Sequence, residues 1–318
     1  MHVWQRPFAL TPTFAERPWG VFDLSPWFAN PSPSSRVGEA WFTADGNQTS
    51  LGETLGALTR AHGPEILGPE QGTECPLLVK ILFTSERLSV QVHPDDEYAV
   101  AHHGPGSRGK TEAWHVIAAE PQATIGLGVT APIAREQAEV AAQSGEIAHL
   151  MDWRPAKAGD TFLVPAGTVH ALGPGLTLIE VQEQSDITYR LFDYGRGRQL
   201  HLQQGFDVAD LGPYLLGNDT HHTADNGRTI LTHCRYFTME SRTVRGQLSF
   251  APLAPFFHLM LVVDGAGTIA SEPFHKGQAW CVPASAEPFQ IESPACDLVM
   301  TYPSVSPTPS FYDPDPAR

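Results

Sequence analysis

The chain has 318 residues, a length typical of two packed domains or of one large domain with appendages. Its 20 lysines and arginines against 35 aspartates and glutamates give a formal net charge of −15, which argues against nucleic acid or an anionic membrane as the main partner. Hydrophobic residues make up 42% of the chain, which excludes a disordered protein, and the 28 glycines and 28 prolines indicate many turns and short strands.

No stretch of the sequence has the pattern of a signal peptide or a membrane span. The first residues lack a charged region followed by an apolar run, and no apolar run reaches about 18 residues. We therefore expect a cytoplasmic protein with no membrane partner. The cysteines Cys75, Cys234, Cys281 and Cys296 are scattered without a CxxC pair, so we interpret them as buried apolar residues rather than as disulfides or thiolate zinc ligands.

The predicted secondary structure changes in character at about residue 75. Before it, residues 49–61 (TSLGETLGALTRA) predict a helix, because leucines recur at near-helical spacing. After it, short β-branched or aromatic segments bounded by glycine or proline predict the strands of a sandwich or jelly roll. These segments are residues 77–83, 87–93, 112–118, 160–165 and 177–182. Residues 132–144 predict a helical insertion between strands.

The last third of the chain predicts a second β unit. Polar residues 217–227 predict a linker, residues 258–264 and 278–284 predict strands, and the proline-rich residues from Pro303 predict an extended tail.

One internal repeat relates the two halves. A spacing of glycine, five residues and proline occurs at 159–165 and again at 277–283, and it suits a turn followed by a strand and a second turn. We therefore expect two related jelly-roll β-barrel units, near residues 80–215 and 228–303.

Four side chains predict a metal site. Gln91 and His93 are two residues apart on a predicted strand and therefore project from one face. Glu112 and His170 could reach the same face from neighbouring strands. Alone, each has an ordinary interpretation, a hydrogen-bonded strand histidine or a solvated glutamate. Together, two imidazoles, a carboxylate and an amide oxygen are typical of a zinc or similar divalent site with one position open for water or substrate.

The motifs around these residues resemble a known family. Gly-x5-Pro-x-Gly-x2-His at 159–170 resembles the second metal motif of the cupin superfamily, whereas Gln91-x-His93 departs from the usual His-x-His of the first. QVHPDDEYA, GKTE, VPAGTVHAL and SDITYRLFDYGR together resemble the type I mannose-6-phosphate isomerases (phosphomannose isomerases) of the short bacterial form, over most of the chain. The resemblance implies a mainly β fold of two cupin-type jelly-roll β-barrel units with a small helical insertion. We place the catalytic unit and its amino-terminal segment in 1–217 and a degenerate cupin-like unit and tail in 218–318.

The resemblance also implies roles for individual residues. Gln91, His93, Glu112 and His170 would be the ligands of one zinc ion per chain, and Arg190 would be the catalytic arginine. Ser89, Lys80 and Lys110 would bind substrate, although Lys80 could instead be a strand-end lysine that reaches solvent. Trp19 and Glu39 fit core packing and an ion pair, and Asp95 and Asp96 fit a turn or a helix start.

These roles predict an aldose–ketose isomerase that interconverts mannose 6-phosphate and fructose 6-phosphate through a cis-enediol, with a small sugar phosphate as its partner. Glu180 is the candidate base, with Lys80 or Lys110 as the alternative. Two other functions stay open: another metal-dependent cupin enzyme such as an epimerase or dioxygenase, and a non-catalytic sugar-phosphate-binding cupin. The sequence is compatible with a monomer or a homodimer.

The second unit is expected to lack a metal. Where the first repeat has Gly167 and His170, the second has Ser285 and Pro288, and proline has no side-chain donor atom for a metal.

Overall fold

A computed structural model of the chain describes residues 3–216, 222–224, 227–252 and 255–303. Within these residues it is built mainly from short strands. In chain order the strands are β1 (Phe8–Leu10), β2 (Thr13–Val21), β3 (Val37–Trp41), β4 (Leu77–Thr84), β5 (Val90–Val92), β6 (Glu112–Ala119), β7 (Thr124–Val129), β8 (Met151–Pro155), β9 (Thr161–Val164), β10 (His170–Leu172), β11 (Leu176–Glu183), β12 (Tyr189–Phe192), β13 (His222–Ala224), β14 (Arg228–His233), β15 (Thr238–Phe250), β16 (His258–Ile269), β17 (Glu272–His275), β18 (Ala279–Val282) and β19 (Phe289–Tyr302).

The helices are few and short. After a 3-10 turn at Val3–Gln5 they are α1 (Leu55–Ile66), α2 (Asp96–His103), α3 (Arg135–Ser144), α4 (Ile147–Leu150) and α5 (Leu202–Val208). None of the helices in the described residues is long and apolar enough to cross a membrane.

The strands form three antiparallel sheets. Sheet I has the order β2-β3-β4-β11-β6-β9, and sheet II has the order β12-β5-β10-β7-β8. Sheet III has the order β1-β18-β16-β19-β15-β14-β13, with β17 paired to β16. Sheets I and II face each other and form the first jelly-roll unit, and sheet III forms the second. The amino-terminal strand β1 lies beside β18 in sheet III, so the two units share the start of the chain.

Strand β4 explains how the units pack. It is buried along its whole length, because its two faces meet different cores. Leu77, Val79, Ile81 and Phe83 join residues of sheet III in one cluster, whereas Leu82 belongs to the cluster between sheets I and II. A strand buried on both faces has an apolar sequence throughout, which makes a polar residue within it conspicuous.

The structure confirms most predicted elements and corrects some bounds. The first predicted helix begins at Leu55 rather than at residue 49, because the Thr54 side chain accepts a hydrogen bond from Ala57 N and caps it there. The helical insertion is confirmed as α3. The strand predicted over 87–93 is shorter, with only Val90–Val92 paired.

The predicted linker and tail lie partly outside the described residues. Of residues 217–227, His222–Ala224 pair with β14, so a linker is wrong for that part, while 217–221 and 225–226 are not described. The tail beyond residue 303 is also outside the described residues.

Candidate active site

The site begins with three neighbouring strands of sheet II. Gln91 on β5 lies opposite His170 on β10 and opposite Arg190 on β12. These residues therefore form a row across the sheet, and His93 follows directly after β5 on the same face as Gln91. Short strands here place side chains from distant parts of the sequence next to one another.

Glu112 meets this row from the opposite sheet. It is the first residue of β6, and its side chain is fully buried. Its Oε1 lies 3.3 Å from His170 Nε2, and its Oε2 lies 3.6 Å from His93 Nε2. The ligand atoms of His93, Glu112 and His170 all lie within 4.8 Å of one another, close enough for one metal ion to bind all three.

Backbone carbonyls orient both imidazoles. His93 Nδ1 is 2.9 Å from the carbonyl oxygen of Ile187, and His170 Nδ1 is 2.8 Å from that of Thr168. Each Nδ1–H therefore donates to its carbonyl, which leaves the Nε2 lone pair directed at Glu112. Burial lowers the pKa of His93 well below its usual range and that of His170 to about 4. Both rings are neutral at neutral pH, as metal ligation requires.

The buried group consists mostly of hydrogen-bond acceptors. Glu112 Oε1 has no hydrogen-bond partner although it is buried, and it faces an imidazole lone pair. Gln91 Nε2 lies 3.2 Å from His170 Nε2, and a half-turn of this amide would direct Oε1 there instead. The ammonium of Lys110 contacts Glu112 and lies 3.1 Å from His93 Nε2. Such converging acceptors fit a divalent cation bound by nitrogen and oxygen ligands.

The cluster of His93, Glu112 and His170 is the only group of its kind among the described residues. In the second unit, His258 is buried in sheet III and His275 is exposed, with its Nδ1 2.9 Å from the Lys276 carbonyl oxygen. That the second unit lacks a metal stays a prediction.

A cavity of about 460 Å³ adjoins the cluster. Most of its lining residues are charged, which suits a polar ligand rather than a hydrophobic one. The lining residues are Glu16, Arg17, Pro18, Trp19, Glu39, Lys80, Leu82, Leu88, Ser89, Gln91, Lys110, Glu180, Asp186, Thr188, Arg190 and Arg198. The cavity therefore includes every residue that the sequence assigns to substrate binding or catalysis.

Lys80 is the polar residue within the apolar strand β4. Its ammonium is buried, lies 3.3 Å from Glu180 Oε1 and stands 4.3 Å from the centre of the Trp41 ring. The chain therefore holds the lysine inward, and the alternative of a strand-end lysine that reaches solvent is wrong.

Glu180 is held on both sides. Its Oε2 accepts a hydrogen bond of 2.9 Å from Trp114 Nε1, while Oε1 faces Lys80. Burial raises the pKa of Glu180, but the ammonium groups of Lys110 and Lys80 outweigh it and lower the pKa to about 2. The carboxylate is therefore ionised at neutral pH and fixed in direction.

Arg190 differs from the other cations of the cavity. Arg17, Lys80, Lys110 and Arg198 each pair with a carboxylate. Among the described residues Arg190 forms no ion pair; it donates from Nη1 to the carbonyl oxygen of Gln199 at 3.1 Å, and its buried Nε has no partner. It therefore keeps donors available for an anionic ligand.

Sequence reasoning missed two cavity arginines. Arg17 donates to Glu39 Oε2 at 2.7 Å, and Arg198 binds both oxygens of Asp193. Arg17 stands in the charged segment ERPWG, and Arg198 comes two residues after the motif SDITYRLFDYGR, so these neighbouring segments were the available signal. The expected roles of Glu39 in an ion pair and of Trp19 in the core are confirmed.

Comparisons with known proteins agree over most of the chain. The family model described as phosphomannose isomerase type I, catalytic domain, matches residues 8–115, and that described as mannose-6-phosphate isomerase, cupin domain, matches residues 227–303. The chain is 37% identical over 306 residues to mannose-6-phosphate isomerase ManA of Bacillus subtilis. The alignment covers 90% of this chain and 96% of that one. It is 34% identical over 310 residues to a mannose-6-phosphate isomerase of Streptococcus mutans, in an alignment that covers 90% of this chain and 95% of that one.

Solved structures share the fold. A mannose 6-phosphate isomerase from Bacillus subtilis superposes with a TM-score of 0.85 at 31% identity, over 93% of this chain and 99% of that one. A mannose 6-phosphate isomerase bound with zinc and yttrium superposes with a TM-score of 0.76 at 14% identity.

Proposed function

The chain belongs to the type I mannose-6-phosphate isomerase family and is an enzyme of that family, and on this premise we propose that it interconverts mannose 6-phosphate and fructose 6-phosphate with one bound zinc ion. The observation that carries the proposal is the convergence of His93, Glu112 and His170 next to a charged cavity, whose lining residues Gln91 and Lys110 contact the cluster. Gln91 supplies the fourth ligand in this proposal. The zinc reported for a structural relative supports the choice of metal.

The cavity fits a sugar phosphate in size and chemistry. A volume of about 460 Å³ lies within the range of small-molecule sites. Arg190, with its unused donors, is the cation best placed to meet an oxyanion, because a guanidinium offers several hydrogen-bond donors in a fixed plane. Ser89, Lys80 and Lys110 line the same cavity, and we assign them to the sugar hydroxyls and phosphate.

The reaction moves two protons and no external electrons. In the direction of fructose 6-phosphate, a base removes the proton from C2 of the open-chain aldose while O1 gains a proton, which gives the cis-enediol. O2 then loses its proton as C1 gains one, which gives the ketose. When bound, zinc polarises the sugar oxygens and eases these transfers. Arg190 stabilises the negative charge that develops on them.

We propose Glu180 as the base, with Lys80 or Lys110 as the alternative. Glu180 is ionised at neutral pH, which is the form a base requires, and it lines the cavity. Its low pKa also reduces its affinity for a proton, and a lysine would have to lose its ammonium proton before it could act as the base. Glu180→Gln should lower kcat by at least about a hundredfold if Glu180 moves the carbon-bound proton. A kcat within a few fold of the wild type would assign the transfer to a lysine.

The proposed function is tested by following the sugar phosphate in heavy water. The wild type should convert mannose 6-phosphate to fructose 6-phosphate and place solvent deuterium at C1, since the cis-enediol passes its proton through a base. Complete absence of deuterium would show that the hydrogen moves from C2 to C1 without exchange with solvent, by a hydride shift or by a base closed to water. Formation of an epimeric aldose, or of an oxidised product with consumption of oxygen, would support the other cupin enzymes. Binding without any product would indicate a sugar-phosphate-binding protein.

A further inference from the structure

The segment that carries Lys110 and Glu112 is held by two acidic side chains. Just before β6, Gly109 N donates to Asp96 Oδ1 at 2.9 Å, and Thr111 N donates to Glu183 Oε1 at 2.9 Å. These bonds fix the backbone on both sides of Lys110. The backbone at Gly109 also packs directly against the backbone at Asp95. A Cβ on Gly109 would lie 2.6 Å from the carbonyl carbon of Asp95, so only glycine fits.

The two carboxyl groups also bind each other. Burial and the neighbouring Asp96 raise the pKa of Glu183 to about 8, so Glu183 keeps its proton at neutral pH and donates it to Asp96. Burial raises the pKa of Asp96, but hydrogen bonds from Gly109 N, Tyr236 and Glu183 lower it overall. Asp96 is therefore an ionised acceptor; the Arg235 guanidinium lies 3.9 Å from its Oδ2, and Arg108 is the positive charge near Glu183.

The third bond to Asp96 comes from the second unit. Tyr236 lies in the connection between β14 and β15 of sheet III, and its hydroxyl donates to Asp96 Oδ2 at 2.9 Å. The next residue, Phe237, is fully buried in the cluster shared by the two units, which anchors the connection. The Tyr236 hydroxyl is thus connected to the backbone of Gly109 through two hydrogen bonds, both accepted by the Asp96 carboxylate.

We propose that Tyr236 is a positioning residue of the active site, through which the second unit holds the segment carrying Lys110 and Glu112 by way of Asp96. This inference rests on the proposed function only for the identity of the zinc ion and the substrate that Glu112 and Lys110 bind. The second unit accordingly has a part in activity beyond packing. Ligand-orienting hydrogen bonds of this kind typically contribute about 10- to 100-fold to metal affinity or activity.

Loss of the Tyr236 hydroxyl should change kcat more than KM. The cavity arginines Arg17, Arg190 and Arg198 lie on or beside other strands, and none of them contacts Asp96. Loss of the Tyr236 hydroxyl should therefore disturb Glu112 and one of the substrate contacts, Lys110, while the other substrate contacts stay in place.

The test compares Tyr236→Phe with Tyr302→Phe in the full chain. Tyr302 donates to Glu240 Oε2 at 3.0 Å inside sheet III, so the control also removes a hydroxyl–carboxylate bond from the second unit but has no link to Asp96. Measurements are kcat, KM, the thermal unfolding midpoint and the rate of zinc release to a chelator. Tyr236→Phe should lower kcat about tenfold and speed zinc release about tenfold, with KM raised by at most about threefold, because Lys110 is only one of several substrate contacts. Tyr302→Phe should leave kcat, KM and zinc release unchanged.

A double variant tests the route through Asp96. Tyr236→Phe combined with Asp96→Ala should be no slower than Asp96→Ala alone, because both remove one connection. The proposal is overturned if Tyr236→Phe leaves kcat and zinc release at wild-type values, or if both tyrosine variants lose activity only in proportion to the folded fraction. A wild type that holds zinc but does not isomerise would contradict the proposed function alone, since zinc release would still test Tyr236.

Discussion

Replacing Arg190 by alanine should slow the reaction without removing the metal. Arg190 lies opposite Gln91 in sheet II, donates only from Nη1 to Gln199, and has a buried Nε with no partner. Its remaining donors are therefore available to an oxygen that gains charge during the reaction. Such a donor, fixed in place before the reaction, is worth about 2.7–4 kcal/mol in the transition state, which corresponds to a loss of about 10²–10³ in kcat.

The assay is steady-state conversion of mannose 6-phosphate, coupled to detection of fructose 6-phosphate, on variants with measured zinc content. Arg190→Ala should lower kcat at least about a hundredfold with zinc unchanged, because Arg190 is not a ligand. Arg190→Lys keeps the charge but not the planar donors and should recover only part of the loss. Arg198→Ala is the control, since Arg198 already pairs with Asp193 and should mainly affect KM.

A normal kcat with a raised KM in Arg190→Ala would refute this reasoning. It would show that Arg190 binds the phosphate equally in the ground state and the transition state, and that another group stabilises the developing charge.

Three further predictions concern the histidines. His170→Ala should retain only a small part of the one equivalent of zinc expected for the wild type, measured by metal analysis, and full retention would place the metal elsewhere. His258→Gln with His275→Gln should leave zinc content and kcat within about twofold of the wild type, whereas loss of one equivalent would place the site in the second unit. Burial, with a smaller effect from Arg228, lowers the pKa of His258 from 6.5 to about 3, so the unfolded chain binds a proton that the folded chain excludes. The contribution of His258 to the free energy of unfolding is therefore fully present above about pH 6.5 and is lost as the pH drops toward 3. Between pH 7 and pH 5, urea unfolding should show that His258→Gln loses about 2 kcal/mol less stability than the wild type. Equal losses in the two proteins would contradict a buried neutral imidazole.

The sequence predicted five strands of the first unit, β4, β5, β6, β9 and β11, because their burial is periodic or complete. Residues 77–83 were apolar except for Lys80, and the structure gives the reason, since β4 is covered on both faces. By contrast, six strands of the first unit were not predicted, among them β2 and β3, which form one edge of sheet I. The sequences of β2 and β3 mix charged, aromatic and glycine residues, because Arg17, Trp19 and Glu39 line the cavity while other residues of these strands pack on the core.

The metal cluster could be predicted from motif spacing, but its partners could not. Two-residue spacing on a strand places Gln91 and His93 on one face whatever the rest of the fold. The pairing of Lys80 with Glu180 follows from the register of β4 against β11, which is a long-range property of the sheet. The Tyr236–Asp96 bond joins residues 140 positions apart, and nothing local to either residue specifies it.

The most direct test of the proposed zinc enzyme is titration of metal into the stripped protein. Protein treated with a chelator and freed of it should not convert mannose 6-phosphate to fructose 6-phosphate, and added zinc should restore activity linearly up to one equivalent per chain. The same titration of His170→Ala should restore little. Undiminished conversion by protein shown to contain no metal, or a break at two equivalents in the wild type, would contradict a single zinc ion held by Gln91, His93, Glu112 and His170.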